Sequence, residues 1–444
     1  MSLSGLYPRP MSVVSVAYRL AQLGVRAAGP LVGVLPGAGP AKLARGIAGR
    51  RGSDVRLSRW GREGRDPTRP IVWFHAPSVG EGLQARAVIE ALRRRREGVQ
   101  IVFTHFSPSA EKLADAMPAD ATGYLPWDLP GSVRPVVEAL RPDALVFTKT
   151  EVWPVLTEVA AENRIPVVLI AATLPPGAGR LRWPARTLMR PTWAALNRVA
   201  AIATEDGGRF ADLGVAADRV VVTGDPGIDS AAQRARAANP QAPYLKPFRD
   251  APRPTLVAGS TWPSDEDVLA PALDVLGQEL RVVLAPHEPS PERVTSLVRR
   301  FGAGGRTAAT LADVEGAGTA AGVDVVVVDR VGVLAHLYTV GTLAYVGGGF
   351  HGAGLHSVLE PAAARLPTTF GPRHHNAKAA ADLMASGGGV EVADAAALAA
   401  TLGGWLTDPV TLDYAGKRAY DYIDAHLGAA ERTASILDDL LVRR

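Results

Sequence analysis

Residues 71–85 read IVWFHAPSVGEGLQA and form the clearest junction between a strand and a helix in the chain. The opening run, IVWF, shows no inside–outside alternation, which is typical of a parallel strand covered by helices on both faces. A turn of small and polar residues follows, and a helix-like pattern then resumes. Glu81 lies on this turn, where it can serve either as a helix cap or as a general base at the mouth of a cleft.

Similar apolar runs recur along the chain, with helical, Ala- and Leu-rich segments between them. Strands are predicted at 71–74, 99–104, 144–148, 166–173, 199–204, 220–224, 255–260, 280–286, 323–329, 342–348 and 366–371. The alternation predicts an α/β protein with two doubly wound, Rossmann-like domains that face a central cleft. Ligands of such folds bind beyond the carboxyl ends of the strands.

The length of 444 residues and the hydrophobic content of 47% suit two domains, at roughly 100–200 residues per domain. Residues 227–254 are polar, rich in proline and poor in branched apolar side chains, so they are predicted to be a linker region with one helix. We therefore expect a first α/β domain over 51–226 and a second over 255–444. The second domain is expected to end in a helical segment over 413–444, which could pack across either domain.

Composition excludes several functional classes. The chain has no cysteine, which rules out disulfides, thiolate catalysis and thiolate zinc sites. The net charge is +4 and much of the positive charge is arginine, including the run Arg93–Arg96. This run is either a solvated helix end or a contact for phosphates or an anionic membrane face. Nucleic acid is not an expected partner, because no basic stretch with interleaved aromatic residues occurs.

The N-terminal segment, residues 1–50, contains an apolar stretch over 11–36 that also carries two arginines, Arg19 and Arg26. The charges argue against a membrane-spanning helix or a secretory signal. A stripe at helical spacing is formed by Val13, Val16, Ala17, Leu20 and Leu23. The pattern predicts a helix that lies on a surface, which is either a bilayer or the protein itself.

Two polar clusters follow predicted strands of the first domain. Their members are His75, Ser78, Gly80, Glu81, Lys149, Thr150 and Glu151. Gly80 permits close backbone approach, and the helix that starts there offers free N–H groups to an anion. Lys149 and Glu151 form either a simple salt bridge or a charged wall of a binding site.

Two further clusters follow predicted strands of the second domain. The first comprises Gly259, Ser260 and Thr261 together with Pro286, His287 and Glu288, and small hydroxylated residues at a helix start suit a phosphate. The second is the glycine-rich run from Val346, which matches neither a dinucleotide fingerprint nor a P-loop. Glu360 follows this run and is suited to nucleotide ribose hydroxyls. The string Arg373-His374-His375 has no carboxylate at ligand spacing, so we expect no metal.

At this point the chain resembles a known family, the 3-deoxy-D-manno-octulosonic acid (Kdo) transferases of lipopolysaccharide assembly. The matching strings are WFHAPSVGE (73–81), YLPWDLPGSVRPVVEALRPDALVFTKTEVWP (124–154), VTGDPGIDS (222–230), AGSTWPSDE (258–266), and YVGGGF, HSVLEPAA and FGP within 345–372. They occur in the family's order and span about residues 56 to 430. The resemblance implies a GT-B glycosyltransferase fold with CMP-Kdo as the donor.

The resemblance also implies roles for matched positions. Glu81 falls on the family's catalytic carboxylate and Glu151 on a second cleft carboxylate, with Ser78, Gly80 and Lys149 as substrate-binding neighbours. The expected CMP-binding residues are Gly259, Ser260, Thr261, Pro286, His287, Val331, Gly332, Val333, Gly348, Gly349, Ser357, Val358, Leu359 and Glu360. Three positions depart from the usual family pattern. Many members carry Arg where this chain has His287, Glu where it has Val333, and Asn where it has Ser357.

The expected activity is therefore inverting transfer of Kdo from CMP-Kdo to a lipid A precursor, without a metal or another cofactor. The first domain is expected to bind the acceptor and the second the donor. The acceptor is a lipid, so the enzyme is expected at the cytoplasmic face of the inner membrane, attached peripherally or by one N-terminal anchor. Two alternatives stay open: a GT-B enzyme that uses another nucleotide sugar, such as a UDP-sugar transferase or epimerase, and a non-catalytic binding protein with two lobes.

Overall fold

A computed structural model describes residues 18–20, 22–26, 38–303 and 305–442. The chain packs as two compact units. The first unit comprises residues 1–227 and 428–444, and the second comprises residues 228–427.

A seven-stranded parallel sheet forms the centre of the first unit, in the order β3-β2-β1-β4-β5-β6-β7. Its strands are β1 Ile71–Ala76, β2 Gln100–His105, β3 Ala121–Tyr124, β4 Ala144–Thr148, β5 Val167–Ala172, β6 Arg198–Ala201 and β7 Val220–Val222. Every residue of β1, β2, β4 and β5 is buried, as the unbroken apolar runs predict. Alternate side chains of β1 enter two separate cores, with Ile71 and Trp73 on one face and Val72 and Phe74 on the other.

Helices cover both faces of this sheet. They are Ala38–Arg50, Ser53–Glu63, Val79–Arg95, Glu111–Asp115, Pro130–Leu140, Pro154–Glu162, Ala185–Ala194, Thr204–Leu213 and Ala429–Val442, with the helix Pro226–Arg236 at the boundary with the second unit. Short 3₁₀ turns occupy Pro108–Ala110, Gly179–Leu181 and Ala217–Arg219. Residues 18–20 and 22–26 are also helical.

A second seven-stranded parallel sheet forms the centre of the second unit, in the order β10-β11-β9-β8-β12-β13-β14. Its strands are β8 Thr255–Thr261, β9 Arg281–Pro286, β10 Ala308–Thr310, β11 Val325–Val327, β12 Leu343–Val346, β13 Thr368–Phe370 and β14 Gly389–Glu391. The remaining elements are the helices Lys246–Asp250, Pro263–Leu276, Pro291–Gly302, Leu311–Ala317, Leu334–Leu337, Leu359–Ala363, Lys378–Ser386, Ala395–Thr407 and Pro409–Ala425 and the 3₁₀ turn Tyr338–Val340.

The segment predicted to be a linker, 227–254, is part of the second unit. It carries two helices, and its apolar side chains lie in two cores of that unit: Ile228, Ala231 and Ala232 in one, and Ala242, Leu245 and Phe248 in the other. The prediction of one helix was therefore wrong. The proline-rich composition concealed a small but regular set of buried side chains.

The C-terminal segment also differs from the expectation. It forms two helices, and the last of them, Ala429–Val442, packs in the first unit. Its buried face includes Ala430, Ala434, Leu437 and Leu441, which join the core beneath the helix Val79–Arg95. We had assigned this helix to the second domain. Periodicity identifies an amphipathic helix but not the core that its apolar face will reach.

The arginine run at the end of the helix Val79–Arg95 is engaged in ion pairs. Arg94 lies 2.7 Å from Glu431, and Arg96 lies 2.5 Å from Asp438, both on the terminal helix. Arg93 pairs with Asp120 at 2.7 Å. These contacts tie the run to the first unit itself, so the reading as a solvated helix end is incomplete.

Candidate active site

Glu81 and Lys149 lie where the strand order of the first sheet reverses. β1 pairs with β2 on one side and with β4 on the other, although β4 follows much later in the chain. The two strands end at the same edge, and the loops after them diverge to opposite sides of the sheet. A doubly wound sheet forms a ligand crevice at such a point. The structure thus brings together the two clusters that the sequence identified in the first domain.

The Glu81 carboxylate is held by a cation and a hydroxyl. Its Oε1 lies 3.3 Å from Lys149 Nζ, and its Oε2 accepts a hydrogen bond from the Ser78 hydroxyl. Burial acts to raise the pKa of Glu81, but the charge of Lys149 and the bond from Ser78 outweigh it and lower the pKa below the ordinary value. Glu81 is therefore an ionised carboxylate at neutral pH.

The helix Val79–Arg95 begins with Ser78 as its N-cap residue, and the Ser78 side chain makes no capping bond to the backbone. Glu81 lies in the first turn, where its negative charge interacts favourably with the positive end of the helix dipole. Gly80 is exposed, and a side chain there would meet nothing within 4 Å. The turn is therefore open in front of the carboxylate. A capping role alone would not require Lys149 from another strand.

Lys149 adopts a left-handed backbone with φ of 68°, which is uncommon for a residue with a long side chain. The strand β4 ends at Thr148, so this conformation turns the chain sharply out of the sheet. Strained positions of this kind cluster at functional sites. The Lys149 side chain remains 45% exposed, whereas the Glu81 side chain is only 15% exposed. The ammonium group thus stands at the solvent side of the carboxylate.

Glu151 lies two residues further on and behaves in the opposite way. Burial raises its pKa, and the nearby charge of Glu81 adds to the rise, while Arg180 and Arg50 counteract it. Its buried Oε2 has no hydrogen-bond partner among the described residues. The site therefore contains two carboxyl groups whose pKa values are displaced in opposite directions, an arrangement that separates a base from a second role.

Aromatic rings pack beside these two carboxyl groups. His75 is fully buried, and burial together with the charge of Arg50 lowers its pKa to about 3, so the ring is neutral. Trp153 packs edge-on against His75 at 6.0 Å and stacks on Phe106 at 5.3 Å. The guanidinium of Arg50 lies 3.5 Å from the centre of the Phe106 ring. The sequence analysis did not nominate Arg50 or these two rings, because they come from other elements.

In the second unit, β8 and β12 flank the point where the strand order reverses. Ser260 has a left-handed φ of 56° near the end of β8. A side chain at Gly347, just after β12, would collide with the backbone of Ser260, so only glycine permits this approach. A side chain at Gly259 would likewise collide with the Tyr338 hydroxyl. The expected donor segments thus meet at one edge of the sheet.

A stack of one indole and three imidazoles covers this edge. Trp262 lies parallel to His351 at 3.9 Å and stacks on His287 at 4.5 Å. His356 stacks on His287 at 4.6 Å and accepts a hydrogen bond from Trp262 Nε1 at 3.0 Å. Burial, with the charges of the two other histidines, lowers the pKa of His356 to about 4. Of these, the sequence had nominated only His287.

Some groups that were expected to offer hydrogen bonds to a phosphate are used internally. The Thr261 hydroxyl donates to Glu266 at 3.0 Å, and the backbone N–H of Trp262 donates to Asp265 at 2.8 Å. Asp265 also accepts from the backbone N–H of Gly348 at 2.8 Å. Two buried carboxylates therefore stabilise the start of the helix Pro263–Leu276.

The remaining donor residues lie nearby. Glu360 forms an ion pair with Arg234, which the sequence analysis had not nominated. Ser357 accepts a hydrogen bond from the Leu359 N–H at 3.3 Å. Val331 is 55% exposed, and Gly332 has a left-handed φ of 97° with open space in front of it. Val333 packs against the core that also contains Tyr338.

His374 does have a carboxylate partner, contrary to the expectation from spacing, since its Nε2 lies 2.7 Å from Glu391 Oε2. The glutamate comes from β14, which the sequence analysis missed. Within the described part of the chain, no group of three or more His, Asp or Glu side chains is placed to hold a metal ion.

The two parallel sheets define an α/β protein with a GT-B-like fold, and solved structures agree. A UDP-GlcNAc 2-epimerase from Neisseria meningitidis, bound to UDP-GlcNAc, is similar with a TM-score of 0.58 and 13% identity, over 85% of this chain and 100% of that one. The epimerase from Methanocaldococcus jannaschii gives a TM-score of 0.54 and 13% identity, over 80% and 99%. At such identity the likeness concerns the fold alone.

Sequence comparisons find proteins of one family that are similar to this chain. The model described as 3-deoxy-D-manno-octulosonic-acid transferase (kdotransferase) matches residues 53–230. A relative of that name from Bordetella pertussis is 28% identical over 406 residues, which are 86% of this chain and 91% of the relative. Another, from Haemophilus influenzae, is 25% identical over 84% of this chain and 87% of the relative. The resemblance to the Kdo transferase family that the motifs predicted is thus confirmed over most of the chain.

A first prediction concerns the pKa of Glu81. The substitution Lys149→Met keeps the length of the side chain but removes its charge, so only hydrogen bonds such as that from Ser78 still oppose the effect of burial, and the pKa of Glu81 rises. Titration of the carboxyl group by ¹³C NMR measures the change. Lys112→Met, at an exposed position of the helix Glu111–Asp115, is the control and leaves the pKa unchanged. An unaltered Glu81 pKa in the Lys149 variant would contradict the electrostatic account.

Proposed function

We propose that the protein transfers Kdo from CMP-Kdo to a lipid A precursor, with inversion at the anomeric carbon. The observation that carries the proposal is the ionised Glu81, held by Lys149 at the point of strand reversal. The motif resemblance predicts that this residue is the catalytic carboxylate. The resemblance to the family supplies the reaction. The structure supplies a group with the charge that the reaction requires.

The reaction needs one proton acceptor and one leaving group. Glu81 accepts the proton of the acceptor hydroxyl as the hydroxyl oxygen forms its bond to the anomeric carbon of Kdo. The bond between that carbon and the phosphate oxygen breaks, and CMP leaves with the electron pair. No covalent intermediate with the enzyme is needed. A base with a depressed pKa is weak but fully deprotonated, so every molecule of enzyme is competent at neutral pH.

Lys149 has a second use in this scheme. As Glu81 takes up the proton, the Lys149 ammonium loses its ionic partner at the open side of the site. It can then interact with the anionic substrate. Glu151, whose pKa is raised by burial, is proposed to orient a sugar hydroxyl near Glu81 rather than to act as the base. Gly80 leaves room for the acceptor to approach.

The second unit is proposed to bind the CMP moiety through the segments 259–261, 286–287, 331–333, 348–349 and 357–360. In support, these segments gather at one edge of the second sheet, and a flat stack of Trp262 with three histidines covers that edge. Glu360 is proposed to accept hydrogen bonds from the ribose hydroxyls. Arg234 would hold the Glu360 carboxylate in place for this contact.

The epimerases that share the fold favour no second function. They are similar at 13% identity, whereas the transferases are related in sequence over more than four fifths of the chain. Turnover of a UDP-sugar is therefore a result that an experiment can detect, and we do not propose it as a second function.

A second prediction tests the base. Glu81→Gln keeps the shape of the side chain but removes its basicity, and the loss of a general base lowers kcat by about 10²–10⁴-fold. Binding of CMP should be nearly unchanged. The control is Glu90→Gln, on the same helix, where the carboxylate pairs with Arg86 at 2.8 Å. If Glu81→Gln retains more than half of wild-type turnover, Glu81 is a helix cap and not the base.

A third prediction concerns the donor site. Glu360→Ala removes a carboxylate acceptor, and charge-assisted hydrogen bonds contribute about 1.5–3 kcal/mol, so CMP should bind roughly ten- to a hundredfold more weakly. Calorimetric titration measures the affinity, and a melting curve establishes that the variant is folded. Asp413→Asn, an exposed carboxylate paired with Arg365 at 2.9 Å, serves as the control. Unchanged affinity in a folded Glu360 variant would contradict the ribose contact.

The location of the acceptor brings in the N-terminal segment. In the described part of the chain, no helix is both long and apolar enough to cross a bilayer. The described residues of this segment, 18–20 and 22–26, dock on the first unit, because the Tyr18 hydroxyl donates to Asp128 at 2.8 Å and Arg19 pairs with Glu158 at 2.7 Å. Arg19 is thus engaged with protein. Val13, Val16 and Ala17 lie outside the described residues.

The side of this helical segment opposite Tyr18 carries two exposed apolar residues. Leu20 is 62% exposed and Leu23 is 48% exposed. A docked helix with an outward apolar face is suited to rest in the headgroup region of a bilayer. We propose peripheral attachment to the cytoplasmic face of the inner membrane by this face, with Arg26 beside it as a contact for anionic lipid.

A fourth prediction tests this attachment. The double substitution Leu20→Glu and Leu23→Glu replaces exposed apolar groups by charges, so it should lower binding to anionic liposomes severalfold without unfolding the protein. A flotation assay measures binding. Val275→Glu changes an aliphatic residue of the second unit that is still more exposed, at 77%, and should have no effect. Equal flotation of the double variant and the wild type would show that the segment only packs on the fold.

A further inference from the structure

We propose that Arg50 is an oxyanion-binding residue of the first unit, which holds a carboxylate or phosphate of a substrate beside Glu151. The identity of that substrate rests on the proposed function, but the binding of an anion does not. Arg50 lies outside residues 53–230, which the family model matches, and outside the motifs that carry the resemblance.

Arg50 is a buried cation at the end of the helix Ala38–Arg50. Its side chain is 7% exposed, and its guanidinium lies 3.5 Å from the Phe106 ring centre and 5.1 Å from that of Trp127. Arginine is rarely buried to this extent unless a carboxylate or another anion accepts its hydrogen bonds. Two aromatic rings shield the faces of the cation but do not accept hydrogen bonds in its plane.

The hydrogen-bonding capacity of Arg50 is unused. Its Nε and Nη2 are buried, and neither has a hydrogen-bond partner among the described residues. The nearby charge of Glu151 raises the pKa of Arg50, yet burial prevails and the pKa is lowered to about 10. The two groups interact electrostatically but form no direct ion pair. Glu151 Oε2 is equally without a partner.

The aromatic residues fix the orientation of the guanidinium. Phe106 contacts it from one side and stacks on Trp153 with an angle of 23° between the rings. A stacked guanidinium keeps its N–H groups free at its edge, where they can bind in the plane. Trp153 Nε1 is a further buried donor without a partner in the described chain. The site is therefore built from rigid donors and not from flexible surface lysines.

This arrangement defines the chemical class of the ligand. The N–H groups of an arginine match two oxygens of one carboxylate or phosphate. The unpaired Oε2 of Glu151 can accept a hydrogen bond, so the same ligand should carry a hydroxyl close to its anionic group. A sugar with an acidic or phosphorylated substituent meets both requirements. Two sources exist in the proposed reaction: the carboxylate of the transferred sugar acid, and an anionic group on the acceptor.

The experiment measures anion binding at equilibrium, using free Kdo and inorganic phosphate as separate probes and tryptophan fluorescence as the signal. The variants are Arg50→Gln, which removes the charge, and Arg50→Lys, which keeps the charge but lacks the planar donors. Arg45→Gln, an exposed arginine on the same helix that pairs with Glu111, is the control. We expect at least one probe to bind the wild type and the control alike.

Binding of that probe to Arg50→Gln should be about tenfold weaker or more, with Arg50→Lys between the two. Steady-state kinetics then separates the sources: a raised KM for CMP-Kdo indicates the sugar carboxylate, and a raised KM for the acceptor indicates its anionic group. If both probes bind Arg50→Gln as tightly as the wild type, or if the wild type binds neither, Arg50 is structural and the proposal is wrong. Absence of Kdo transfer by the wild type would instead refute the proposed function, and the fluorescence titration would still test Arg50.

Discussion

The parallel pairing of β1 with β4 is the constraint from which the chemistry of the first unit follows. It aligns His75 with Phe147, so that the loops after the two strands leave the sheet side by side. Glu81 and Lys149, 68 residues apart in the chain, thereby come within 3.3 Å of each other. Neither loop alone could produce an ionised carboxylate in a site that buries it. The same device recurs in the second unit, where β8 and β12 bring the Ser260 and Gly347 backbones together.

The opposite displacement of two carboxyl pKa values gives these groups different capacities. Lys149 and Ser78 overcome the effect of burial at Glu81, whereas Glu151 lacks a direct partner and burial prevails. A site with one ionised carboxylate as the base and one carboxyl group of raised pKa beside it suits a reaction in which a single proton moves. Beside these carboxyl groups, Trp153 packs edge-on against His75 and stacks on Phe106, which contacts Arg50. Burial and the charge of Arg50 keep His75 neutral.

Much of this could be predicted from the sequence, because unbroken apolar runs mark buried parallel strands and polar residues directly after them mark their carboxyl ends. The three strands that were missed, β3, β10 and β14, are edge strands with the short sequences ATGY, AAT and GVE. They carry few branched apolar residues because an edge strand buries less side-chain surface. Arg50 and Arg234 were missed for a different reason: each reaches its site from an element remote in sequence, and only the tertiary fold shows the contact.

The most direct test of the account is the reaction itself. The full-length protein is incubated with CMP-Kdo and a tetra-acylated lipid A precursor, and the products are resolved by mass spectrometry. The account predicts that the lipid gains the mass of a Kdo residue and that CMP appears in step with it. A folded protein that leaves the lipid unchanged while a UDP-sugar is turned over, or that turns over neither substrate, would contradict it.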